Sequence, residues 1–227
     1  MHVKKLSHTV WARFLTRGAR YMSRVETVVH REPWEVSARL AELQLTIEGL
    51  LRVRSIAIAA SADATPFHPA NAAGTFSYHY GTFALRKEYV GKNWRVERPD
   101  GVEAIVNEKL KARVVFANVD IACDDELKPK PRSRKGAGAE RVCMGNLFDS
   151  LPEYAPAQPE GWATFYLMVD PRGAAELTRP VVKNNTFTGW IERNYLSNGE
   201  DLDLDGKRLP LDDDDIADGF DPEVVRK

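Results

Sequence analysis

Cysteine is nearly absent from this chain: 227 residues hold two, Cys123 and Cys143. Two thiols exclude a disulfide framework and are too few on their own for a structural zinc site, so a reducing compartment, the cytoplasm, is expected. Histidine is also sparse. His2, His8, His30, His68 and His79 show no HExxH or HxH spacing, no GxSxG elbow occurs, and neither cysteine sits in the local signature of a nucleophile. The expectation is therefore a non-enzymatic chain with no cofactor, no metal and no catalytic residue. Long apolar runs are missing too. The longest, SIAIAA at 55–60, falls far short of the roughly 18 residues a membrane span needs, so no membrane partner is expected. No internal repeat of solenoid or propeller length is present.

What the chain does contain is enough apolar surface to fold. A hydrophobic fraction of 43% with 29% charged residues lies in the ordinary globular range, away from the signature of disorder. At this length a core needs no disulfide or metal staple. The net charge of −1 conceals a gradient. Residues 1–31 hold seven cations, Lys4, Lys5, Arg13, Arg17, Arg20, Arg24 and Arg31, against the single acid Glu26, whereas residues 192–227 hold twelve acids against five bases. Such asymmetry signals interaction with a charged partner.

Periodicity sets the expected elements. In residues 7–30, Trp11, Phe14, Leu15, Tyr21, Met22, Val25, Val28 and Val29 recur at spacings of three and four, which predicts a helix with one apolar face. Glu32, Pro33 and Glu35 restart the pattern, and Leu40, Leu43, Leu45, Ile47, Leu50 and Leu51 give a second helix a broad buried side. Residues 61–74, rich in Ala, Pro, Asn and Asp, predict a loop. Beyond it the period shortens. Residues 74–90 alternate aromatic or β-branched with small and polar side chains, residues 93–106 contain a Pro99-Asp100-Gly101 turn, and residues 111–123 are rich in Val and Ile; all three predict antiparallel strands. A proline-bearing connection follows at 144–161, then strands at 162–170 and 178–197 with Asn184 and Asn185 near a turn. The fold expected is α+β: an N-terminal helical pair (1–60) packed on a mainly antiparallel β-rich core (74–197), with an acidic C-terminal extension (198–227), all in one domain.

Two basic clusters stand out. Arg13, Arg17, Arg20, Arg24 and Arg31 are separated by four, three, four and seven positions, so at about 100° per residue they form one stripe away from the apolar face. A row of guanidinium forks suits phosphate, the chain's own acidic tail, or simply water. The same segment also has the composition of an organellar transit peptide. The second cluster, Lys128, Lys130, Arg132, Arg134, Lys135 and Arg141, flanks Gly136-Ala137-Gly138. Pro129 and Pro131 hold its first half extended, and the glycines let backbone amides approach an anion. It is neither a Walker loop nor a dinucleotide fingerprint, because Arg141 stands where the third glycine belongs. What remains is a flexible cationic arm making salt-sensitive contacts to a phosphate backbone, or a plain surface loop.

Three smaller signals complete the list. Pro99-Asp100 with Glu126-Leu127-Lys128 spells the letters of a PD…ExK metal-dependent nuclease, although Pro99 to Gly101 is better explained as a turn and Glu126 runs into Pro129 rather than lying in a strand. Asp201, Asp203, Asp205 and Gly206 occupy positions one, three, five and six of an EF-hand-type loop, with Asp212 in place of the bidentate Glu; an acidic tail is the plainer explanation. Phe76, Tyr78 and Tyr80 would share one face of a strand as a stacking platform for bases, with Phe83 on the other face unless a bulge at Gly81 resets it, or they would be core.

The function expected from these features is binding of nucleic acid, or of a protein that handles nucleic acid, through the Arg stripe and the basic loop. An alternative is a protein–protein interaction or inhibitor module acting through the acidic C-terminal segment, which pairing with the Arg stripe would turn into a homo-oligomer. A second alternative is a metal-dependent phosphodiesterase using Asp100, Glu126 and Lys128.

Overall fold

The computed structural model describes residues 27–91, 93–148 and 161–202, which form four α-helices and a seven-stranded mixed sheet. The α+β class holds. The described chain enters at one edge with β1 (Val28–His30), which pairs in parallel with the last strand. Helices α1 (Pro33–Glu42), α2 (Ile47–Ala62) and α3 (Ala72–Tyr89) then cover one face as the chain passes to the opposite edge. From there β2 (Arg95–Glu97), β3 (Ala104–Asn107) and β4 (Ala112–Asn118) return as an antiparallel meander. Helix α4 (Ala137–Phe148) packs on the other face and carries the chain into β5 (Ala163–Val169), parallel to β4, as a crossover connection permits. Antiparallel β6 (Ala175–Lys183) and β7 (Thr186–Ser197) complete the order β1-β7-β6-β5-β4-β3-β2.

Strand alternation divides the core in two. Ile105, Val114, Phe116, Phe165, Leu167 and Leu177 point toward α1–α3 and meet Val36, Leu40, Leu50, Val53, Ala57 and Leu85. Val106, Val115, Ala117, Tyr166, Met168 and Phe187 point the other way, under Ala139 and Cys143 of α4. Each fully buried Leu or Phe stabilises the fold by about 1.5–3 kcal/mol relative to exposure, so both faces contribute.

Local readings that depended on period alone needed correction. Val28, Val29 and His30 are a strand, not the end of a helix, and Thr27 Oγ1 donates to Trp190 O (2.7 Å), tying the entry to β7. The second expected helix is two. Gln44 takes a left-handed φ of 56°, and Thr46 then caps α2, its side chain accepting from Gly49 N (3.1 Å). The largest correction is residues 74–90, expected as a strand in the β-rich core and observed as α3. Its inward residues Ser77, Gly81, Ala84 and Leu85 follow helical spacing. At Gly81 a Cβ would lie 2.5 Å from the Phe116 ring, so glycine lets the helix lie close on the sheet.

Candidate functional site

The segment between β4 and α4 carries the densest charge of the described chain, and it is pinned at several points rather than hanging as a free arm. Where it leaves β4, the fully buried pair Glu176–Arg193 receives it. Glu176 Oε2 accepts from Cys123 N (2.7 Å) and from Arg193 (2.6 Å), and Arg193 also donates to Asp124 O (2.8 Å). Tyr195 Oη donates to Asp124 O (3.0 Å) and lies 3.0 Å from Asp125 Oδ1. These contacts suit a loop laid over a sheet, because its backbone amides and carbonyls need partners once water is excluded. Further on, Arg132 N donates to Asn118 O (3.1 Å), Asp120 N to Lys130 O (3.0 Å) and Lys135 N to Asn185 O (2.8 Å).

Three of the four acids of this segment are used internally, and the fourth, Glu126, is exposed. Asp120 Oδ1 accepts from Ile121 N and Lys130 N (both 2.7 Å). Asp124 Oδ1 accepts from Glu126 N (2.9 Å) and Leu127 N (2.7 Å), an Asx-type turn. Asp125 pairs with Arg31 at 2.6 Å, and that guanidinium holds its carboxyl below the ordinary aspartate range.

The six cations have different fates. Arg141 donates to Asp100 Oδ1 (2.8 Å). Gly138 sits so close to the Asp100 carbonyl that any Cβ would clash with it, so the second glycine of the cluster serves helix packing. The Lys135 ammonium lies 5.5 Å from the ring centres of both Tyr166 and Phe187, and burial lowers its pKa to about 8. Lys128 Nζ donates to Asp125 O (3.1 Å). Lys130, Arg132 and Arg134 are exposed, and Lys130 and Arg132 have no carboxylate partner among the described residues. Asp120, Asp124 and Asp125 are thus engaged by amides or by Arg31, while Lys130 and Arg132 are left without a described carboxylate.

The aromatic residues expected to line a strand lie on α3 instead. Tyr80 and Phe83 are 53% and 56% exposed, and with the partly buried Phe76 they follow helical spacing along its outer side. Phe67, in the preceding loop, is 99% exposed. The neighbouring His68 packs edge-on against Phe76 at 5.2 Å, and its Nδ1 accepts from Thr65 N (3.0 Å). One residue connects this helix to the basic segment. Asn118, at the end of β4, donates to Gly74 O (2.8 Å) and accepts from Ser77 Oγ (2.8 Å), while its own carbonyl accepts from Arg132 N. Asn118 did not stand out in the sequence; the aromatic residues of α3 did, but on an expected strand, and the helical spacing of Ser77, Gly81, Ala84 and Leu85 was the available signal for the helix.

Arg13, Arg17, Arg20 and Arg24 lie outside the described residues, so of the expected stripe only Arg31 is seen, bound to Asp125. Of the nuclease letters, Asp100 is paired with Arg141 and the Lys128 amine with a backbone carbonyl. No group of three His, Cys, Asp or Glu able to hold a metal occurs among the described residues. Asp201, first of the calcium-like series, is bound bidentately by the buried Arg54 at 2.8 Å for each oxygen, which depresses its pKa; Asp203, Asp205, Gly206 and Asp212 lie outside the described residues. Cys123 and Cys143 are free thiols, both pushed up to about 12 by burial, which leaves them poor nucleophiles. Among the described residues no helix is long and apolar enough to cross a membrane. Compared with family models, curated proteins and solved structures, the chain matches none of them.

Proposed function

We propose that this chain is a non-enzymatic, cytoplasmic nucleic-acid-binding protein whose basic β4–α4 segment contacts the phosphate backbone. One observation carries the proposal: Asp120 and Asp124 accept from the segment's own amides and Asp125 from Arg31, leaving Glu126 as the one exposed acid without a described partner for its carboxylate, while Lys130 and Arg132 are exposed without a described carboxylate. Exposed cations on a pinned segment fit the phosphate backbone, which needs positive charge but no reactive group. Lys128, Lys135 and Arg141 support it by holding the segment in place. Arg134 is exposed as well, and Arg13, Arg17, Arg20 and Arg24, outside the described residues, belong to the same proposal as further cations. Two free thiols suit a reducing compartment.

The test is fluorescence anisotropy with labelled DNA or RNA across a salt titration. Affinity should fall steeply as salt rises. Lys130→Glu with Arg132→Glu should weaken binding by at least ten-fold, by removing two phosphate contacts and adding like charge, and should flatten the salt slope by about two. Salt-independent binding, or none at low salt, would remove the proposal.

A further inference from the structure

We infer that the nucleic acid taken by this chain is single-stranded, its bases stacking on the outer side of α3 while its phosphates follow the cations at either end of that helix. The inference rests on the proposed nucleic-acid function and adds the form of the ligand.

It starts from helical register. Phe76, Tyr80, Phe83 and Lys87 are separated by four, three and four positions, so they fall within about 60° of arc along about 16 Å of helix. Tyr80 and Phe83 are more than half exposed, and Lys87 is exposed with no described carboxylate partner. A contiguous group of outward aromatic rings is uncommon on a surface that stays in water.

Charge narrows the occupant. Helix α3 carries one acid in its 18 residues, Glu88, and Arg52 neutralises it. In the last turn of the helix Arg86, and beyond it Arg98, share the carboxylate Glu103, and Lys87 beside them is exposed without a described carboxylate. At the other end Asn118 ties the first turns of α3 to Arg132. Aromatic rings therefore lie between two sets of cations, with no unneutralised acid on the helix. An apolar protein partner would need the rings but not the flanking charge.

Duplex structure removes the double helix from consideration for this surface. Base faces in a duplex are stacked on one another, so an aromatic side chain finds them only on an open strand, where stacking is tolerant of sequence. Phe67, in the loop before α3, is 99% exposed and adjoins in sequence His68, which packs on Phe76.

The experiment compares a fluorescein-labelled oligo-dT strand with a mixed-sequence duplex of equal length on the full chain, and on Tyr80→Ala, Phe83→Ala and Lys130→Glu/Arg132→Glu variants. Far-UV circular dichroism checks that each variant is folded. The expected result is a strand preference of at least ten-fold, a loss of about ten-fold in strand affinity for each aromatic variant, and duplex affinity unchanged by them. Equal affinity for strand and duplex, with the loop variant weakening both, would overturn the single-strand inference and leave the phosphate-binding function intact. A strand preference untouched by Tyr80→Ala and Phe83→Ala would also overturn it. Absence of binding to either probe would overturn the function and the inference together.

Discussion

The two faces of the sheet are covered by different means, and their composition differs accordingly. Toward α1–α3 the sheet presents mainly Ile105, Val114, Phe116, Phe165 and Leu167, because helices satisfy most of their own backbone, with Glu192 meeting Arg39 of α1 as a partly buried ion pair. Toward α4 and the basic segment it also presents Thr164, Thr178, Glu176 and Arg193, all fully buried. A loop brings unpaired amides and carbonyls onto the sheet, and these side chains answer them: Glu176 takes Cys123 N, Arg193 reaches Asp124 O, and Cys123 Sγ donates to Ala175 O (3.0 Å). The polar face is thus a consequence of the covering, and it holds the charged segment in a fixed shape.

The largest way to break this contrast is Glu176→Ala, which strands a buried guanidinium and a loop amide. A loss of about 3–5 kcal/mol is expected in chemical denaturation. A double variant with Arg193→Met should recover part of it, since the uncompensated charge is gone. On the apolar face a steric change should do the damage instead. Gly81→Ala drives a methyl into the Phe116 ring and should cost about 1–3 kcal/mol, with the proposed binding at the basic segment unaffected in the folded fraction.

Two pH experiments sharpen the comparison with smaller effects. Arg54 depresses the Asp201 carboxyl below its unfolded value, so the folded state binds fewer protons. That stabilisation is complete above the ordinary aspartate value of about 4 and is lost as pH falls toward the lower folded value. Asp201→Asn should therefore flatten the stability profile on the acid side of about pH 4 and leave its shape unchanged above about pH 6, measured by urea melts. Lys135 runs in the opposite sense on the alkaline side. Its folded value of about 8 lies below that of an ordinary lysine, about 10.4, so the unfolded chain binds more protons between these limits and stability should rise with pH across them. Lys135→Met should abolish that rise, the smallest of the four effects.

How much of this was legible beforehand depended on whether a residue's role was local. Alternation placed β4, β5 and much of β6–β7, and Asn184 and Asn185, with φ of 52° and 62°, sit at the expected turn. Helix α3 was misread because Phe76, Tyr78 and Tyr80 offer a period of two that competes with the helical period of Ser77, Gly81, Ala84 and Leu85. The aromatic residues are the larger and more visible set, yet the small ones decide, since they let the backbone reach Phe116. In the basic segment all six cations were visible, but the inward turn of Lys135 and the pairing of Arg141 with Asp100 depend on residues 31 and 41 positions away.

By itself the sequence determined the α+β class, the supply of apolar residues for a core, and the clustering of charge, because composition and short-range period carry that information. Tertiary structure alone decided that Val28–His30 joins the sheet, that Glu176 and Arg193 lie buried under a loop, and that Lys130 and Arg132 are the cations left outside. The physical reason is that a charge is neutralised, or a polar group satisfied, by whatever the fold brings within hydrogen-bond reach, and that neighbour is set by sheet order rather than by adjacency along the chain.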